Sequence, residues 1–302
     1  MKKLIVTGSS GFVGQNLLAY LKATDIAAIN RKQLQGVTPE HLNGAYAIVH
    51  LAGKAHDLKK TSSKDEYYQV NYELTKKLYD AFLESDAKKF IFISSVKAVA
   101  DSVVGILTED AVPNPQTAYG KSKLMAEEYI QAQKLPEDKS YYILRPCMIH
   151  GPGNKGNLNL LYNIVQKGIP YPLAAFENKR SFLSVENLCF VIKQLISNPI
   201  ASGVFHVADD ESLSTNKVVE LLANASSKKA KLLKIPVKIV RAMARLGDLF
   251  RLPLNSERLQ KLTESYQVSN KKVVDAMKVP LPLSAIDGLT NTAKSFNSAA
   301  QV

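Results

Sequence analysis

The chain has 302 residues, 46% hydrophobic and 22% charged, with 15 glycines, 13 prolines and 2 cysteines. This balance excludes a disordered chain, a collagen-like repeat and a disulfide-built scaffold, and the length suffices for one large or two modest cores. The formal charge of +12 points toward nucleic acid, an anionic membrane surface or a phosphorylated small substrate.

No apolar run approaches the roughly 18 residues of a bilayer span. Met1-Lys2-Lys3-Leu4-Ile5-Val6 leads straight into a turn motif rather than a signal-peptide cleavage region. The expectation is a cytoplasmic protein. Cys147 and Cys189 both sit in apolar stretches and read as packed thiols in a reducing compartment.

Leu4–Thr7 is a short apolar run closed by Gly8, followed by Phe12, Val13, Leu17, Leu18 and Leu21 at helical spacing. Strand, glycine turn and helix follow from that pattern. Further short apolar strands are expected at 26–29, 47–51, 90–93 and 141–144, with helices near 66–84 and 118–134. Continuous apolar strands alternating with helices predict an α/β, Rossmann-type, doubly wound parallel sheet.

After Arg145-Pro146 the texture turns to Gly/Pro/Asn-rich segments, so a second region begins near residue 150. Residues 184–207 read as one more helix and strand returning to the sheet. The expected partition is 1–150 plus about 183–207 for dinucleotide binding, and about 151–182 plus 208–294 for a smaller, mostly helical substrate domain. Residues 295–302 are expected to form a flexible tail.

Thr7-Gly8-Ser9-Ser10-Gly11-Phe12-Val13-Gly14 spaces three glycines by three between strand and helix. Gly8 permits the tight turn, Gly11 lets backbone approach a pyrophosphate, and Gly14 allows close helix packing, while the helix N-terminus offers free N–H groups. An acid about 20 residues further on usually holds the adenosine ribose. Here Asn30 takes that place and Arg31 follows, which tilts the expected cofactor from NAD toward NADP.

Tyr119 and Lys123, four apart at the start of a helix, point from one face. A nearby ammonium favours the phenolate and would bring Tyr119 toward acid–base range. Ser94-Ser95 ends the strand 90–93 and can offer a hydroxyl to the same oxygen. The histidines at 41, 50, 56, 150 and 206 have no ligand spacing among themselves or with the cysteines, so no metal site is expected.

Thr-Gly-x-x-Gly-Phe-x-Gly, the Ser-Ser strand end and Tyr-x-x-x-Lys together resemble the extended short-chain dehydrogenase/reductase family of nucleotide-sugar epimerases, dehydratases and reductases. The likeness covers nearly the whole chain and includes His50-Leu51-Ala52-Gly53, Leu144-Arg145-Pro146 and Lys179-Arg180-Ser181-Phe182. It implies Ser95, Tyr119 and Lys123 as the catalytic group, with Lys123 also on the nicotinamide ribose. It further implies that Leu51, Ala52, Gly53 and Pro146 line the cofactor, and that Arg180 and Arg258 meet a substrate diphosphate. It also implies a homodimer formed by the aromatic-rich helix 64–84 and the helix starting at Tyr119.

Dehydratases of the family carry an Asp-Glu pair after the catalytic hydroxyl; Val96-Lys97 stands here. Ser94-Ser95-Val96-Lys97 and His50 to His56 most resemble bacterial UDP-N-acetylhexosamine C4 reductases and C4 epimerases. The reading is reduction of the C4 ketone of a UDP-4-keto-6-deoxy-N-acetylhexosamine, the alternative a 4-epimerase with tightly held NAD. Lys97 and His56 each divide evenly between a substrate contact and a loop position without function.

Two alternatives lie outside catalysis: a silent cofactor-binding scaffold, and a membrane-surface protein using the basic amphipathic segment 236–251 with Lys238, Arg241 and Arg245. Residues 217–278 hold 14 lysines and arginines against 5 acids. With no nucleic-acid recognition motif present, that excess fits anionic diphosphate ligands, a weak membrane attraction or solvated surface.

Overall fold

The computed structural model describes residues 3–22, 25–54, 63–154, 156–250 and 255–299. His56, singled out by the sequence, lies outside these residues.

Six strands form one parallel sheet: β1 (Lys3–Thr7), β2 (Ile26–Ile29), β3 (Ala45–His50), β4 (Lys89–Ile93), β6 (Ser140–Pro146) and β9 (Gly203–Val207). Their order is β2-β1-β3-β4-β6-β9. The chain leaves β1 to one side and returns on the other, so the loops after β1 and β3 meet where strand order reverses. Leu51 N–H donates to the Thr7 carbonyl at 3.2 Å and Ala52 N–H to the Thr7 hydroxyl at 3.1 Å. Crevices at such switch points receive ligands in open α/β sheets.

Period-2 side-chain alternation builds a core on each face. Leu4, Val6, Val49, Ile91 and Leu144 face α1 (Phe12–Tyr20) and α7 (Val185–Ser197). Ile5, Ile48, Phe90, Phe92 and Ile143 face α4 (Leu74–Glu84) and α5 (Ala118–Ala132). Between β2 and β3 lie α2 (Arg31–Gln35) and a 3-10 turn, and this short return crosses only β1, so the sheet ends at β2.

α3 (Lys64–Tyr68) runs into α4 through a π-helical turn, Gln69–Glu73. Ser63 and Thr117 cap α3 and α5 with side-chain oxygens. Along 64–84, Tyr67, Leu74, Leu78, Tyr79 and Phe82 are buried within the chain, while Tyr68 and Tyr72 are half-buried. Most of the aromatic circumference that suggested a subunit seam is therefore used internally.

A third core forms away from the sheet. Leu158, Tyr162 and Val165 of α6 (Asn157–Gln166), Val218 and Leu222 of α8 (Thr215–Ala225) and Leu289 and Ala293 of α12 (Ala285–Ala299) pack together. α9 (Val237–Phe250) joins through Val240 and Ala244, and α10 (Ser256–Thr263) through Leu259. Val273 and Met277 of α11 (Lys271–Met277) pack instead into the sheet core. The remaining strands form small sheets, among them β7 (Met148–His150) beside β8 (Arg180–Ser184) and β10 (Ser212–Leu213), and β5 (Ile106–Leu107) beside β11 (Gln267–Val268).

Candidate active site

Gly8 adopts φ +70°, and a Cβ there would stand 2.7 Å from Ala52 N, so the positive φ and the neighbouring loop both demand glycine. A Cβ on Gly14 would lie 2.6 Å from Ser9 Cα and closer still to the Gly8 carbonyl. Gly11 is the N-cap of α1 and no side chain caps it. The loop thus presents a helix N-terminus to the crevice with its backbone uncovered by side chains, a cradle suited to a pyrophosphate. Phe12 and Val13 pack against the sheet core and hold α1 in place.

At the end of β2 the Asn30 side chain accepts from Gln33 N–H at 3.0 Å, and Asn30 N–H donates in return to Gln33 Oε1 at 2.9 Å. Asn30 is therefore fixed as a helix cap. Arg31, the first residue of α2, is exposed beside it. Neither Asn30 nor Arg31 supplies a carboxylate at this corner.

Buried hydrogen bonds order the loop after β3. The Thr7 hydroxyl meets His50 Nδ1 at 2.7 Å, and His50 Nε2 meets the Thr75 hydroxyl at 2.9 Å. Burial drives the His50 pKa down to about 3, so the ring stays neutral. Asn71, in the π-helical turn, accepts from Lys54 N–H at 2.7 Å and donates to the Lys54 carbonyl and the Ser122 hydroxyl, both at 3.1 Å. One side chain thereby ties the 51–54 loop to α5 next to Lys123. The extra residue of a π turn aims Asn71 inward, a device common at functional sites. The sequence reading missed Asn71 because a lone Asn inside a helical pattern carries no signal.

Ser95, Tyr119 and Lys123 converge at the C-terminal edge of the sheet. Ser95, Tyr119, Lys123, Leu51, Gly53, Pro146 and Cys147 share a cavity of about 230 Å³. Tyr119 is hydrogen-bonded to Ser95, and burial pushes its pKa up more than that bond pulls it down. The Tyr67 ring meets Tyr119 edge-on, centroids 6.1 Å apart. Lys123 Nζ donates to the Ile93 carbonyl at 2.8 Å and lies over the Phe92 ring. Desolvation lowers its pKa to about 8. The expected ammonium-driven lowering of the Tyr119 pKa is thus reversed in direction, because burial dominates and the Lys123 proton donor is turned to Ile93.

Beneath this group the Ser94 hydroxyl donates to Glu127, whose carboxylate receives Arg145 Nε at 2.9 Å and Nη2 at 2.5 Å. All three are buried. Glu127 follows Lys123 by four residues on α5, so its charge supports the lysine from below. The sequence reading missed this pair too, since Arg145 and Glu127 meet only across the α5–β6 packing.

A second, larger cavity of about 460 Å³ opens from Ser95 and Tyr119 toward the helical lobe, lined also by Lys97, Met148, Arg180, Glu264 and Tyr266. Lys97 Nζ donates to the Asp101 carbonyl at 2.8 Å and lies 4.2 Å from the Tyr266 ring centroid. Arg180 Nε donates to the Glu264 carbonyl at 3.1 Å, and Nη2 donates to the Lys261 carbonyl. Desolvation lowers the pKa of both cations. Arg258, paired with Arg180 in the sequence reading, is exposed on the first turn of α10 and does not line this cavity. α10 turns its C-terminal end, not its start, toward Arg180.

Cys147 and Cys189 are buried thiols, with the Cys189 pKa pushed up to about 12 by desolvation. Among the described residues no cluster of His, Cys, Asp or Glu could hold a metal ion, and no helix is long and apolar enough to cross a membrane.

Residues 4–208 match the model of the NAD dependent epimerase/dehydratase family. A Vibrio cholerae protein named UDP-glucose 4-epimerase is 31% identical, covering 99% of this chain and 96% of that protein. An Escherichia coli O157:H7 protein named N-acetyl-alpha-D-glucosaminyl-diphospho-ditrans,octacis-undecaprenol 4-epimerase is 30% identical over 77% of this chain and 75% of its own length. A solved UDP-N-acetylglucosamine 4-epimerase from Bacillus cereus shares the fold at TM-score 0.77 and 21% identity, with 100% of both chains covered. The NADPH complex of RMD from Pseudomonas aeruginosa shares it at TM-score 0.73 and 23% identity, covering 99% of this chain and 100% of that one. The chain is an NAD(P)-dependent enzyme belonging to the NAD dependent epimerase/dehydratase family.

Proposed function

We propose that the protein reduces the C4 ketone of a diphosphate-linked 4-keto-6-deoxy-N-acetylhexosamine, with NADPH as the preferred cofactor. The Asn30–Arg31 corner carries this reading: the asparagine is held as a cap, no acid claims the ribose there, and an exposed guanidinium stands ready for a 2'-phosphate. Bound in the crevice, the nicotinamide would supply a hydride to C4. Tyr119 gives its proton to the oxygen as it becomes an alkoxide, and Ser95 hydrogen-bonds that oxygen. Lys123 holds the ribose and compensates the phenolate that Tyr119 leaves. Arg180 and Lys97 face the diphosphate, and the third core serves as the substrate lobe.

A 4-epimerase with retained NAD is the second reading, favoured by the names of the two relatives at 30% and 31% identity. It uses the same three residues, with Tyr119 first accepting the proton from the C4 hydroxyl. Denaturing the purified protein and identifying the released nucleotide separates the two. Tightly bound NAD together with interconversion of N-acetylhexosamine epimers, without added cofactor, overturns the reductase reading. Under the reductase reading Arg31→Ala reduces the preference for NADPH over NADH by about tenfold, the worth of one charge-assisted phosphate contact; an unchanged preference counts against it.

A further inference from the structure

We infer that the cleft between α9 and α10 is a second anion site, which takes a small phosphate ester and acts through α10 on Arg180. The site itself is independent of the reaction at C4. Its action on Arg180 rests on the proposed reading of that residue as the diphosphate contact.

The cleft, about 360 Å³, is lined by Phe176, Arg241, Arg245, Leu259 and Gln260 among others, and shares no residue with the two cavities at Tyr119. Arg241 and Arg245, four apart on α9, lie on one flank of the helix. Both are exposed, and neither has a hydrogen-bond or ion-pair partner for its guanidinium among the described residues. No acid among those residues lines the cleft. Asp248, on the same helix, accepts instead from Ser256 N–H at 3.0 Å and from the Ser256 hydroxyl at 2.5 Å, and Glu257 pairs with Lys261 at 2.6 Å. The Asp248–Ser256 bonds pin the start of α10 to α9, so both walls are in place before a ligand enters. Two cations one helical turn apart repel each other. A phosphate relieves that repulsion while accepting from both guanidinium groups. Phe176 and Leu259 pack with the third core and give the ester's organic part an apolar wall, and the Gln260 amide adds a donor and an acceptor.

A soluble ester fits better than a lipid headgroup. The exposed apolar residues Ile239, Met243 and Leu246 run along the other flank of α9, with the buried Val240, Ala244 and Gly247 between them and the arginines. Sinking that apolar flank into a bilayer turns Arg241 and Arg245 away from the headgroups. α10 connects the cleft to the substrate cavity. Leu259 and Gln260 face the cleft, while just beyond them the Lys261 carbonyl accepts from Arg180 Nη2 and the Glu264 carbonyl accepts from Arg180 Nε at 3.1 Å. Arg180 therefore takes its position from the end of α10. An anion bridging Arg241, Arg245 and Gln260 ties α10 to α9 and fixes those carbonyls, so Arg180 is ordered before a diphosphate arrives. Ordering completed in advance raises affinity for the diphosphate, and by linkage the diphosphate raises affinity for the ester by the same factor.

The test titrates the full chain by calorimetry with phenyl phosphate, inorganic phosphate and phenol, with NADPH in excess to fill the cofactor crevice. Phenyl phosphate is expected to bind tightest and phenol not at all. Arg241→Gln combined with Arg245→Gln is expected to weaken phenyl phosphate about tenfold or more. Lys238→Gln, on the same helix but outside the cleft, is expected to leave it within about twofold. UDP is expected to bind about fivefold tighter when phenyl phosphate is saturating, and the double variant to lose that gain with its basal UDP affinity unchanged. Phenyl phosphate that fails to bind, or that binds the double variant as well as the parent, overturns the site. A UDP affinity that phenyl phosphate leaves unchanged overturns the coupling. UDP that binds under neither condition refutes Arg180 as a diphosphate contact, and the coupling with it, while the phenyl phosphate titration still decides the site. Phosphatidic acid vesicles held through the same arginines, with no binding of phenyl phosphate, assign the cleft to a lipid headgroup and also overturn the proposal.

Discussion

Glu127 and Arg145 form a bidentate ion pair, both side chains buried, directly below the Ser94–Ser95 strand end. The pair links α5, which carries Tyr119 and Lys123, to β6, which ends at the cavity that Tyr119 and Lys123 line. Burial raises the Glu127 pKa and Arg145 opposes that rise. Arg145→Met leaves the carboxylate buried without its partner, so a loss of about 3–5 kcal/mol is expected. Urea unfolding measures it, and Arg145→Met combined with Glu127→Leu is expected to cost less than the sum of the single changes.

Acid sensitivity follows from two buried imidazoles. His50 is lowered to about 3 and His206 to about 4, both mainly by desolvation. In the unfolded chain each titrates near 6.5. Between that value and the native one the unfolded state binds more protons, so the stability present above pH 6.5 is lost as pH falls. At pH 5 each imidazole costs about 2 kcal/mol relative to pH 7. No side chain hydrogen-bonds the buried His206 ring, and its one bonded neighbour is the Leu107 backbone. His206→Leu is therefore expected to fold and to narrow the stability difference between pH 5 and pH 7 by about that amount. An unchanged difference in denaturant midpoints refutes this assignment.

Tyr119→Phe removes the hydroxyl proposed as the proton donor while keeping the ring against Tyr67. Turnover is expected to fall about 10²–10⁴-fold, the usual contribution of a positioned acid. Cofactor affinity and thermal midpoint should stay near the parent's. Retention of turnover would place the proton transfer elsewhere.

Gly14→Ala forces a Cβ to within 2.6 Å of Ser9 Cα, where only backbone can yield. The glycine loop must shift, and cofactor affinity should drop about tenfold or more, with about 1–3 kcal/mol lost from the fold. Gly53→Ala meets Lys123 Nζ and Asn71 Oδ1 at 3.1 Å. Those are side-chain ends that can move, so its expected effect is a displaced Lys123 and reduced turnover with stability largely kept. Calorimetry for cofactor and urea midpoints for both variants distinguish the two outcomes.

The strand ends, the glycine turn and the Tyr119–Lys123 pair were legible in the sequence because local periodicity and fixed spacing encode them. Leu4, Val6 and Ile5 alternate as a doubly covered strand must, and residues four apart on α5 share a face whatever surrounds them. From these alone the fold class could be named, and the crevice and side chains proposed for cofactor binding and proton transfer could be picked out. Asn71, Glu127 and Arg145 could not, since their roles arise from contacts across 17 to 51 residues of chain. Arg258 shows the converse: a cation with the right local setting stands on the exposed start of α10, while the other end of that helix approaches Arg180. Spacing along the chain fixes which residues can act together within one element. Burial, the direction of each pKa shift, and the cleft between α9 and α10 are sums over residues distant in sequence, and only the packed structure decides them.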